Sequence, residues 1–144
     1  MQGFGALKRL GLCMALACGP AQAAATQQEA ARLLTQASYG PTSAEIDRTA
    51  GLGVEGWLND QFQQSATLHR PQLDGPGGIY STLGEVTQDQ RQEIWWRAAV
   101  TAPDQLRQRV AFALSEIMVV SDNNSQLYDQ PLILAEYYDV LVRN

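Results

Sequence analysis

Apolar residues recur along this chain at three- and four-residue intervals and nowhere alternate for long, so the pattern predicts helices and no sheet. Thr26-Gln27-Gln28-Glu29 reads as a capping box, and Ala30, Leu33, Leu34 and Ala37 follow on one face until Gly40-Pro41 stops the helix. The same capping chemistry in Thr42-Ser43-Ala44-Glu45 opens a second short helix that ends at Gly51, where Leu52 folds back over the last turn. Gly53 starts a third, with Val54, Trp57, Leu58, Gln61 and Phe62 on one face. From His69 to Glu85 the chain is rich in glycine and proline and reads as a surface loop, without the strand–glycine run–helix order that cradles phosphate. Thr87 to Gln90 caps a fourth helix whose Ile94, Trp95, Ala98, Ala99 and Ala102 face one way. After the polar connector SDNNSQLYDQ, Pro131 opens a last helix with Ile133, Tyr137, Val140 and Leu141 on one face and Leu134 and Tyr138 beside them.

The stretch 103–121, PDQLRQRVAFALSEIMVVS, is the element around which the rest is expected to pack. Leu106, Val110, Ala113, Leu114 and Ile117 form a stripe, and Phe112, Met118 and Val119 spread apolar surface round most of the remaining circumference. A helix of that kind belongs inside, which predicts an all-α, irregular orthogonal bundle around a buried central helix begun by Pro103, with Thr101 or Ala102 near its cap. At about 100° per residue, Arg109 and Glu116 fall together along one edge of the stripe. Opposite charges so placed either pair, fixing how the helix docks, or meet a ligand. Trp95 joins the core face of its helix, so Trp96 points away from the core beside Arg97. An outward tryptophan next to an arginine can stack on a sugar ring, grip another chain, or be covered by the remainder of a longer protein.

The N-terminus changes the picture. Lys8 and Arg9 precede an apolar run from Leu10 to Cys18, then Gly19-Pro20 and the small-x-small triplet Ala21-Gln22-Ala23, the order of a secretory signal peptide over 1–23. The expected product is exported, to the periplasm or beyond, with a lipoprotein anchored at Cys18 as the alternative. Cleavage after Ala23 removes both cysteines and leaves eight arginines against fifteen acidic side chains, a net charge of −7. That balance argues against nucleic acid as a partner, and no later run is long and apolar enough to span a membrane. Such a domain is expected to hold together by core burial without disulfides.

The segments AARLLTQASYGPTSAEIDRTAGLGVEGWLNDQF, WWRAAVTAPDQLRQRVAFALSEIMVVS and YYDVLVRN, in this order and spacing, resemble the N-terminal part of the bacterial Domain of Unknown Function 1800 family. The resemblance covers essentially everything after the leader. It implies a mostly helical exported protein, longer than this chain and with further family motifs beyond Asn144, so that 24–144 is the N-terminal helical part of a longer domain. Relatives are often encoded near another family of exported, sulfatase-like proteins. It assigns no activity and no catalytic residues.

Tests for chemistry find little. His69 is the only histidine and sits in the predicted loop, where solvation is its expected state, so no metal site and no cofactor are expected. Asp122, Asn123, Asn124, Ser125 and Asp129 lack the ligand spacing of a calcium loop and read as caps and turns. No serine occupies a Gly-x-Ser-x-Gly elbow, and Glu93 and Glu116 make a carboxylate pair only if the fold brings them together. The residues singled out for a ligand or partner surface are therefore Trp96, Arg97, Arg109 and Glu116. Whether the chain is an enzyme stays open. An envelope or extracellular binding and assembly component, meeting another exported protein or an envelope component, is the first reading, and the scaffold half of an extracytoplasmic hydrolase the second.

Overall fold

The computed structural model describes residues 24–82 and 84–144; the expected leader, 1–23, lies outside them. Among the described residues there are six helices and no strand: α1 (Gln27–Ala37), α2 (Ser43–Gln63), α3 (Arg70–Leu73), α4 (Gln88–Thr101), α5 (Gln105–Ile117) and α6 (Pro131–Arg143). None of these helices is long and apolar enough to cross a membrane.

Local chemistry sets the helix starts. The Thr26 hydroxyl accepts from the Glu29 N–H, whose carboxylate in turn accepts from the Thr26 N–H at 2.9 Å; Thr87 and Gln90 repeat the reciprocal pair at α4. At α2 only half of the expected box forms, because the Thr42 hydroxyl accepts from the Glu45 N–H while the Glu45 carboxylate turns to Arg48. The two helices expected on either side of Gly53 are stacked end to end as α2, with the joint at Gly53 in a backbone conformation of φ 72°, ψ 168°.

Three apolar clusters hold the layers together. Leu34 and Ala37 of α1 meet Trp57 of α2; Leu73, Ile94 and Ala135 join α3, α4 and α6; Ala111, Leu141 and Val142 join α5 and α6. Leu73 is fully buried by a single helical turn inside the glycine-rich stretch expected to be loop throughout, a burial that contributes about 1.5–3 kcal/mol.

α5 departs most from expectation. It runs from Gln105, after an Asp104 that makes no side-chain cap, and stops at Ile117, so Met118–Val120 lie outside it. Its expected stripe is split: Leu106 and Leu114 pack against two of the apolar clusters, whereas Val110 and Ile117 are 50% and 78% exposed and Asp104, Gln108 and Ala111 are buried instead. The reason lies in what faces it. The Thr67 N–H and carbonyl need partners, and Asp104 Oδ2 and Gln108 Nε2 supply them at 2.9 and 2.8 Å, so the polar edge turns inward. α6 is rotated in a similar way. Asp139 is buried because the N–H groups of His69 and Arg70, at the start of α3, donate to its carboxylate at 2.6 and 3.0 Å, leaving Ile133 and Val140 about half exposed. On α2, Trp57 and Gln61 are buried as the shared face requires, but Val54 and Phe62 turn outward.

Candidate functional site

The corner between α4 and α5 positions the candidate residues, and two glutamines fasten it. Gln61 Oε1 accepts from the Leu106 N–H at 3.1 Å and Nε2 donates to the Pro103 carbonyl at 3.2 Å. Gln105 Nε2 donates to the Ala99 and Ala102 carbonyls, closing the end of α4, while its Oε1 accepts from the Tyr39 N–H. Tyr39, in the turn between α1 and α2, is thereby pinned against α5, and its hydroxyl donates to the Gln108 carbonyl at 3.1 Å. Burial pushes that hydroxyl's pKa well above the usual tyrosine range, which keeps it a donor.

With Ile94, Ala98 and Ala99 buried on the inner face of α4, Trp95 flanks the core and Trp96 is carried outward. Trp95 meets Tyr39 edge-on at 5.7 Å and Phe112 of α5 at 5.6 Å, and Trp96 stands edge-on to Trp95 at 4.9 Å while 62% exposed. Val100, one turn along from Trp96, is 75% exposed and forms the rim of a cleft of about 400 Å³ whose walls include Tyr39, Pro41, Trp57 and Pro103. Arg109 lies over the rings of Tyr39 and Phe112 at 5.5 and 5.6 Å.

The expected pairing of Arg109 with Glu116 does not form. Among the described residues no carboxylate lies within 4.0 Å of Arg109, whose guanidinium lies beside the rings of Tyr39 and Phe112, and Glu116 is exposed further along α5. Arg97 is exposed beside Trp96 and reaches Glu93 at 4.0 Å, while Glu93 also accepts from the Tyr80 hydroxyl. Trp96 and Arg109 thus belong to one aromatic set, Arg97 borders it, and Glu116 stands apart. The pattern of the chain did not disclose Tyr39 or Phe112 as members, since a lone aromatic in a turn or on an apolar stripe carries no such signal.

His69 requires a correction. It is 2% exposed, stacked on Tyr138 at 4.7 Å, because Asp139 draws its backbone inward; burial lowers its pKa to about 4. Burial likewise raises the pKa of the Asp139 carboxyl. Gln61 did carry a signal, as an amide on an otherwise apolar face; Asp104 and Asp139 carried none. In the connector the Asn124 side chain accepts from the Gln126 N–H, the turn role expected of it, whereas Asp122 instead pairs with Arg91 of α4 at 2.9 Å.

A larger cleft of about 1160 Å³ lies between the start of α4 and the 122–132 segment, with Asp74, Glu85, Asp89, Asp122 and Asp129 on its walls. Two of these are already engaged, Asp74 by Arg70 and Asp122 by Arg91. Among the described residues no three His, Cys, Asp or Glu side chains gather as a metal-holding group.

A family model described as "Protein of unknown function (DUF1800)" matches residues 32–144. The chain belongs to the DUF1800 family. No curated protein and no solved structure matches. Within this DUF1800 chain, the segments ASYGPT and WWRAAVTAPDQLRQRVAFALSEI meet at the α4–α5 corner, where they supply Tyr39, Trp95, Trp96, Arg109 and Phe112.

Proposed function

We propose that this DUF1800 chain is an exported binding and assembly component, directed out of the cytoplasm by its first 23 residues, and that the face around Trp96 is where a partner seats. The observation carrying this reading is that Trp96 is both exposed and held: 62% of it faces solvent while its ring is braced edge-on by Trp95, which Tyr39 and Phe112 brace in turn. A large ring fixed before contact forfeits little entropy on binding, which is why tryptophan dominates binding hot spots. Val100 extends the apolar surface along α4.

The same reading takes 24–144 as part of a larger assembled unit, whether the covering surface belongs to the same polypeptide or to another exported protein. A photo-reactive phenylalanine analogue at position 96, expressed in the native host, tests it, with the exposed position Gln28 on α1 as control. A discrete cross-link from position 96, absent from position 28, is expected; equal, diffuse labelling from both would overturn the reading. Mass analysis of the product tests export, which predicts a new N-terminus at Ala24.

A further inference from the structure

The cleft rimmed by Val100 carries an unmet hydrogen-bond donor. Its volume of about 400 Å³ is that of a small ligand site, and Tyr39, Pro41, Trp57, Val100 and Pro103 wall it. Trp57 is the most buried of these at 1% exposed, and its Nε1–H has no partner among the described residues. An indole nitrogen only donates, so what it lacks is an acceptor. The other buried polar side chains of the walls are occupied: the Ser38 hydroxyl donates to the Leu34 carbonyl, and Gln61 is bonded at both ends of its amide. Glu45 is the one charged residue that lines the cleft, which disfavours an anionic acceptor. The carbonyls of Leu34, Ala99, Ala102 and Pro103 already accept from Ser38, Gln105 and Gln61, so they offer little to an incoming N–H.

We propose that this cleft receives a neutral, proline-bearing extended segment of the bound partner, with a carbonyl oxygen of that segment accepting from Trp57 Nε1–H. This rests on the binding reading above, since Val100 belongs both to that face and to the rim of the cleft. A proline matches the walls because its tertiary amide is an acceptor without an N–H, and its ring packs on aromatic and proline surfaces of the kind Tyr39, Pro41 and Pro103 provide. The extended polyproline conformation exists before contact, so docking it forfeits little entropy.

Two capped peptides test it on the full chain, N-acetyl-tetraproline amide and N-acetyl-tetraalanine amide, each titrated while the three tryptophan indole N–H resonances are followed by NMR. The proline peptide is expected to shift the Trp57 indole signal saturably and downfield, and the alanine peptide, which would bury unpaired N–H groups, to bind at least about tenfold more weakly. Trp57→Phe keeps a ring in the core but removes the donor, and should weaken the proline peptide about three- to tenfold, the ratio one neutral hydrogen bond supplies. Val100→Glu, at a position 75% exposed, leaves the core untouched while setting a charge on the rim, and it decides the matter if the phenylalanine variant does not fold. It too should weaken the proline peptide. Equal binding of the two peptides, unchanged binding in both variants, or no saturable shift of the Trp57 signal overturns the proposal. Should position 96 give its discrete cross-link while neither peptide binds, the cleft falls and the binding face stands. Should the proline peptide behave as expected but position 96 give no discrete cross-link, the face reading fails separately.

Discussion

His69 shows how one side chain's surroundings decide its chemistry. As a residue of a glycine-rich loop it would titrate near its ordinary value of about 6.5. Buried against Tyr138, it stays neutral down to about pH 4. The unfolded chain therefore takes up a proton between those two values that the native chain refuses, and stability falls as pH drops through that window. The full loss is about 3 kcal/mol, and it levels off once both states are protonated. Asp139 acts with the opposite sign, since its raised pKa lets the native state bind protons more readily. The clean measurement is thus a difference: His69→Phe retains an aromatic ring for Tyr138, and chemical denaturation from pH 7 to pH 4 should show a shallower decline than in the unaltered chain. Parallel declines would mean that His69 is not buried in its neutral form.

Among the elements, α2 was legible almost to the residue and α5 was not, for different physical reasons. Gly51 and Gly53 announce a break, and the break appears as the left-handed joint at Gly53, φ 72° and ψ 168°, a region essentially closed to other residues. Gly53→Ala is accordingly expected to cost about 1–3 kcal/mol in thermal or denaturant unfolding. Gly51, two residues earlier, has no atom within 4 Å of an added Cβ and ordinary backbone angles, so Gly51→Ala should stabilise by about 0.4–1 kcal/mol. Similar effects at both positions would contradict the joint. For α5, periodicity located a helix but could not orient it, because the stripe of Leu106, Val110, Ala113, Leu114 and Ile117 competes with unpaired backbone groups at Thr67 that only Asp104 and Gln108 satisfy. Leaving either group without a partner costs about 1–3 kcal/mol, comparable with the gain from burying an aliphatic side chain, so periodicity alone does not decide the orientation. The same competition hid Asp139 on α6, since an acceptor for the start of α3 is a relation across 69 or 70 positions that no local pattern records.

At the scale of the whole molecule, helix content, caps and membership of the DUF1800 family were legible in the chain, as were the outward Trp96 and its neighbour Arg97. The aromatic set was not, because it joins a turn before α2 to helices more than fifty positions later. What the fold presents is a face on which Trp96 is exposed and braced edge-on by Trp95, with Val100 exposed one turn along α4. On the proposed reading this face is free in the isolated chain and covered in the cell. Predicted processing removes both native cysteines, so Trp96→Cys and, as a control, Gln28→Cys each carry one reactive thiol. Labelling with a membrane-permeant maleimide in intact cells and after purification is the measurement to make first. Position 28 should react in both, and position 96 should react when purified but be protected in cells; equal reactivity of position 96 in the two settings would contradict the account.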